Sequence, residues 1–342
     1  MSAAPAPSTR AVVEEHGGDR KLYVKGTLIG RLAAVAWRWR DAPAQAVRAW
    51  RARRGEDPDT TAPPPRERRS AVFVIMAGQG EGAGLEDVLQ SIVRWEGTDA
   101  AVVVLDDATT DCRTARIRAI VPDAVVLHHR WPCARPPYQY PSIARLLREA
   151  WRRFEADVVI KVDTDALLTG PGLAAAAARV FAEQPQIGLL GTVQQPIYDR
   201  WVLARERRTG RAVRRLHDAA LRHGYDGRKA HGGVYVLSRA ALERMAAAGW
   251  LDWRPPVWTL LNEDACVGLG VWACGLSIGW PGGDDAAPIR SVSHEMPMMM
   301  QDVRPAGVLA VHSVRRGLAG ENEAEVRHYF GAERRASSDA GP

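Results

Sequence analysis

Residues 71–77 read Ala-Val-Phe-Val-Ile-Met-Ala, a continuous apolar run rich in β-forming side chains. A run with no polar alternation fits a strand buried on both faces. Similar runs follow at residues 101–105, 124–127 and 157–162. Helix-type segments separate them near residues 85–95, 114–120 and 142–154. Strand-helix alternation of this kind implies a parallel sheet with right-handed crossovers. Later strand candidates are residues 187–193, 233–237 and 308–312. The expected fold class is α/β, a mainly parallel sheet flanked by helices. No internal repeat is present.

The chain has 342 residues, enough for one large domain with an extension or for two domains. Its 46% hydrophobic and 25% charged content is ordinary globular composition. A net charge of +6 fits a phosphate-bearing partner without requiring one. The four cysteines, Cys112, Cys133, Cys266 and Cys274, form no CxxC pair and no metal-type spacing. They read as reduced thiols in a reducing compartment. No apolar stretch is long enough to span a bilayer, and the N-terminus has no secretory pattern. A cytoplasmic protein is expected.

Residues 1–69 read as an extension. A polar arm to about residue 24 leads into a basic helical stretch. From Arg20 to Arg54 there are ten Lys or Arg and one acid, Asp41, with Trp37, Trp39 and Trp50 interleaved. Leu28, Leu32, Val35 and Trp39 recur at helical spacing, and Asp41-Ala42-Pro43 reads as a break between two helices. Two uses fit: a helix lying on an anionic membrane surface, or a packing helix with a solvated basic face. No nucleic-acid motif is present. A Pro-rich linker follows at residues 56–69. Residues 70–320 form the α/β domain, and residues 321–342 are expected to be a fraying polar tail.

Ligands of open α/β sheets sit beyond the carboxyl ends of strands. Three polar clusters fall at such ends: Gln79-Gly80-Glu81, Asp106-Asp107-Ala108-Thr109-Thr110-Asp111 and Asp163-Thr164-Asp165. Two carboxylates converging at a strand end suit a hard divalent cation such as Mn²⁺ or Mg²⁺. Turn-forming aspartates give the same pattern. The spacing alone does not separate the two uses, since Asp57-Pro58-Asp59 repeats it in the linker.

Val102-Val-Val-Leu-Asp-Asp-Ala-Thr-Thr-Asp111 resembles the strand and acidic turn of family 2 glycosyltransferases, commonly written VVDDGSTD. Ala108 and Thr109 replace the usual Gly and Ser. In that family an Asp of this turn contacts the nucleotide base, a role that falls on Asp106 or Asp107. Asn262-Glu-Asp-Ala-Cys-Val-Gly-Leu-Gly270 is similar to the family's ED helix, whose Asp is the general base. The resemblance thus implies Asp264 as base, with Glu263 on the acceptor side. A helix N-terminus also favours acidic residues on purely structural grounds.

His231-Gly232-Gly233 looks like the glycine pair that lines the acceptor side in GT-A enzymes. Gln79, at the end of the first strand, is a donor-side candidate by position, and the order of the motifs puts Asp163-Thr164-Asp165 on the donor too. The resemblance implies His312 as a third metal ligand, with His294 a weaker candidate. Trp258, near Trp250 and Trp253, offers an acceptor platform or core packing. The resemblance covers about residues 70–315 and rests on the order of several short motifs. It implies a GT-A fold, a nucleotide-sugar donor (UDP-sugar favoured), a hydroxyl acceptor and inverting hexosyl transfer. The processive members carry QxxRW; here Gln301-Asp-Val-Arg304 is followed by Pro305, which points to single transfer. Two rival readings are a sugar-phosphate nucleotidyltransferase, from the glycine-rich residues 76–84, and an inactive membrane-associated scaffold.

Overall fold

The computed structural model describes residues 12–16, 19–23, 66–107, 113–129, 139–194, 211–252 and 261–339. Most of the basic stretch, the Asp57-Pro58-Asp59 pair, Cys112, Cys133 and Trp258 lie outside them. Strands β1 (Val12–His16) and β2 (Asp19–Tyr23) form an antiparallel hairpin where a loose arm was expected. Its register sets Glu14 opposite Lys21 and Glu15 opposite Arg20.

The main body begins with β3 (Glu67–Arg68), β4 (Val72–Ala77), α1 (Gly82–Glu96), β5 (Ala101–Asp107), α2 (Thr114–Ile120) and β6 (Val125–His129). It continues with α3 (Gln139–Arg153), β7 (Phe154–Glu155), β8 (Val158–Asp163), β9 (Ala166–Leu168), α4 (Leu173–Glu183) and β10 (Ile187–Gln194). After these come α5 (Arg211–Arg222), β11 (Lys229–Ser238), α6 (Arg239–Ala247) and α7 (Glu263–Ala273). The last elements are β12 (Ser277–Ile278), β13 (Ile289–Ser291), β14 (Ala310–His312) and α8 (Glu323–Asp339).

The central sheet has the order β12-β10-β11-β8-β4-β5-β6. Only β11 runs against its neighbours; the other pairings are parallel. Every residue of β4 and β5 is buried, as their unbroken apolar runs require. Alternate side chains of β4 feed two separate cores. Val72 and Val74 pack with Ile143, Leu216 and Val271 from α3, α5 and α7. Phe73 and Ile75 pack with Leu89, Leu173 and Phe330 from α1, α4 and α8. Layers of helix, sheet and helix result.

A second sheet, β13-β14-β9, sits at the end of β8. The polar tail expected over residues 321–342 is instead mostly the helix α8. Asn322 and Glu325 cap each other: the Glu325 N–H donates to Asn322 Oδ1 at 3.1 Å, and the Asn322 N–H to Glu325 Oε2 at 2.8 Å. Val326 and Phe330, one turn apart, are buried against the body. Among the described residues no helix is long and apolar enough to cross a membrane. Cys266 and Cys274 are free thiols.

Candidate active site

The apolar strand β8 ends at Asp163, the chain turns at Thr164, and β9 begins just past Asp165. β14 pairs antiparallel with β9 and sets His312 opposite Ala166. The small sheet therefore delivers a histidine to the acidic turn from about 150 residues away in the chain. Ligand atoms of Asp163, Asp165 and His312 all lie within 4.8 Å of one another. They line a cleft of about 250 Å³ together with Glu81, Gln139, Ser293, His294 and Arg315. Two carboxylates and an imidazole form a donor set that fits Mn²⁺ or Mg²⁺.

Each aspartate already has cationic or donor partners. Asp165 lies 3.2 Å from His312 Nε2 and 2.6 Å from Arg315 Nε, and it accepts the Ser313 hydroxyl at 3.1 Å. Burial pushes its carboxyl up, but His312 and Arg315 hold it well below the usual carboxylate range. Asp163 accepts from Lys161 Nζ at 2.6 Å. That ammonium is 2% exposed, donates also to the Gly232 carbonyl, and lies 3.4 Å from Glu263 Oε1. Burial disfavours its charge, and the carboxylates of Asp163 and Glu263 more than offset this. Burial likewise pushes Glu263 up to about 7, against Lys161 and with repulsion from Asp264 and Asp163.

Glu263 and Asp264 open α7, where the helix dipole favours negative charge. Asp264 pairs with Lys229 at 3.0 Å and accepts the Ala265 N–H at 2.7 Å. The glycines Gly232 and Gly233 make room for the protein's own side chains. A Cβ at Gly232 would sit 2.9 Å from Glu263 Oε1, and one at Gly233 would overlap the His312 ring. Both glycine positions are thus packed against side chains of the site.

Behind His312 stands a hydrogen-bonded row. The Ser291 hydroxyl lies 3.1 Å from His312 Nδ1 and 2.6 Å from His231 Nδ1. The Gly233 N–H donates to His231 Nδ1 at 3.3 Å, and His231 Nε2 lies 3.1 Å from the Ser293 hydroxyl. Burial, then the charge of His312, lowers His231 to about 4, so its ring is neutral at neutral pH.

Asp106 and Asp107 end β5 and are 3% and 2% exposed. Asp107 Oδ1 lies 3.0 Å from His129 Nδ1, and Asp106 Oδ2 lies 3.6 Å from His128 Nδ1. Gln79 is exposed in the turn after β4. The glycine-rich segment is no open phosphate loop. Gly82 and Gly84 lie in the first turn of α1. The Gly78 N–H donates to Glu81 Oε2 at 2.6 Å, and the Gly78 carbonyl accepts from Arg113 at 2.8 Å.

Lys161, Lys229, His231 and Arg315 were not anticipated from the sequence. Lys161 did leave a signal: it is the one charge inside an apolar strand run, and a buried charge demands partners.

No family model matches the chain, and no curated protein does. Among solved structures it is similar to a mannosyltransferase from Pyrobaculum calidifontis in complex with GDP-Man and Mn²⁺. Identity is 22% over 73% of this chain and 65% of that one, with a TM-score of 0.40. The chain thus spans less than two thirds of that protein's length. It is also similar to the galactosyltransferase LgtC in complex with donor and acceptor sugar analogues. Identity there is 12% over 76% of this chain and 95% of that one, with a TM-score of 0.44. A third likeness is the bifunctional glycosyltransferase WbbM in its apo form, at 10% identity over 78% and 48% of the two chains, TM-score 0.42.

Proposed function

We propose that this chain is a metal-dependent glycosyltransferase of the GT-A type, moving a sugar from a nucleotide-sugar donor to an acceptor hydroxyl. The observation that carries the reading is the convergence of Asp163, Asp165 and His312 in a cleft at the carboxyl edge of the parallel strands. These three residues would hold Mn²⁺ or Mg²⁺. A cation bound there supplies charge neutralisation for the departing diphosphate. Arg315, which lines the same cleft, adds a fixed positive charge for phosphate oxygens.

Asp264 is the proposed general base. Lys229 holds one of its oxygens and the Ala265 N–H the other, which fixes the carboxylate in one orientation. It takes the proton of the acceptor hydroxyl as that oxygen bonds to the anomeric carbon. The bond from that carbon to the diphosphate oxygen breaks, and the electron pair leaves with the diphosphate. One displacement inverts the anomeric centre, and nothing in this scheme requires processivity. Asp106 or Asp107 serves the base, with UDP-sugars favoured. The same reading keeps the cytoplasmic location expected from the sequence, and leaves the basic residues between Arg20 and Arg54 two uses, packing or contact with an anionic membrane surface.

A screen of UDP-, GDP- and dTDP-sugars with Mn²⁺, Mg²⁺ or chelator tests the reaction class through nucleotide release. Release in one donor's presence that chelator abolishes is the expected result; release of pyrophosphate from a nucleoside triphosphate would overturn it. Asp264→Asn should lower kcat about 10²- to 10⁴-fold while leaving donor affinity unchanged. Turnover at the wild-type rate would remove Asp264 from the mechanism.

A further inference from the structure

The carbonyl of Thr164, between the two aspartates, is engaged from the far end of the chain. Arg327, on α8, donates through Nη2 to Thr164 O at 2.7 Å. Its Nη1 donates to Asp87 of α1 at 2.9 Å, and its Nε to Glu323 at 2.9 Å. Arg334, two turns further along α8, donates to the other oxygen of Asp87. The side chains of Arg327, Asp87 and Arg334 are only 10–15% exposed. Gly84 closes the assembly from the α1 side: a Cβ there would stand 2.6 Å from Thr164 O and 3.1 Å from Arg327 Nη2. Helix α1, helix α8 and the acidic turn therefore meet at one carbonyl oxygen.

We infer that Arg327 is a positioning residue for the metal site, bracing the Thr164 carbonyl so that Asp163 and Asp165 keep a common orientation. The inference rests on the metal reading above. The peptide between Thr164 and Asp165 sets how far apart the two carboxylates stand. A guanidinium suits the task, because its rigid fork holds a carboxylate and a carbonyl at once, whereas a single ammonium is a point donor. Gly84 is the steric half of the brace, since it alone lets α1 approach the carbonyl. In this way the C-terminal helix belongs to the site without touching the cleft.

The experiment measures the Mn²⁺ dissociation constant of the full chain by EPR, together with thermal unfolding in chelator. Outer-layer partners of a metal site are worth about 10- to 100-fold in affinity. Arg327→Gln and Gly84→Ala are expected to weaken Mn²⁺ binding at least about tenfold on that scale. Arg334→Gln loses the same Asp87 partner but does not reach Thr164; it should lower the melting temperature and keep wild-type affinity. Arg327→Lys, a milder change, serves where Arg327→Gln does not fold, and should still weaken binding. Wild-type affinity in the Arg327 and Gly84 variants would overturn the brace, as would an equal loss in Arg334→Gln. If the wild-type chain binds no Mn²⁺, the metal reading itself falls, and the brace with it.

Discussion

Two acidic pairs end two strands of the same sheet, and both stand beside histidines, yet they are built for different work. Asp106 and Asp107 are adjacent, so in extended backbone they point to opposite faces. Each takes its own histidine from the neighbouring strand β6, whose register sets Asp106 against His128 and Asp107 against His129. Asp163 and Asp165 flank a turn at Thr164, and their carboxylates converge with one histidine, His312, from a separate sheet. The first arrangement distributes charge along the strand ends; the second concentrates it at one point. That convergence, more than acidity or spacing, is what suits the second pair to a cation.

The sharpest way to break this contrast is to neutralise one carboxylate of each pair. Asp165→Asn should lower Mn²⁺ affinity and metal-dependent turnover on the order of 10²-fold or more. Asp107→Asn should leave Mn²⁺ affinity within about twofold, since no shared ligand set is touched. Equal losses, measured by EPR titration, would mean that the two pairs are not distinct.

The histidines give the next test. His312→Ala should cost about 10- to 100-fold in Mn²⁺ affinity. His129→Ala should leave that affinity alone and instead strand the buried Asp107, at about 1–3 kcal/mol of stability read by denaturant unfolding. His128, whose side chain is 55% exposed, gives the smallest effect. His128→Ala should change stability by less than about 0.5 kcal/mol, because exposed pairs contribute little.

The strands were legible because burial on both faces leaves an unbroken apolar run, as in residues 71–77. The acidic turn was legible for a similar reason: polar residues ending such a run have only the sheet edge to occupy. The neutralising cations were harder to read. Lys229 meets Asp264 and Arg315 meets Asp165 across long stretches of chain, and local pattern carries no such information. Helix α8 was missed because its burial rests on Val326, Phe330 and a salt-bridged cluster with Asp87, 240 residues earlier in the case of Arg327. Its start was nonetheless written in Asn322-Glu-Ala-Glu325, an N-cap pattern that composition alone hides. The glycine-rich segment offered a rival phosphate-loop reading; in the structure Gly84 packs closely against Thr164.

The row of groups behind His312 starts at a group that neither rotates nor titrates. The Gly233 amide gives its hydrogen to His231 Nδ1. The Ser291 hydroxyl stands between that nitrogen, at 2.6 Å, and His312 Nδ1, at 3.1 Å. His312 therefore has a polar neighbour at each ring nitrogen: Ser291 at Nδ1, and Asp165 at Nε2, 3.2 Å away. Contacts at both ends fix the direction in which the imidazole faces the acidic turn. A backbone amide two side chains away along this row thus helps to aim the ring.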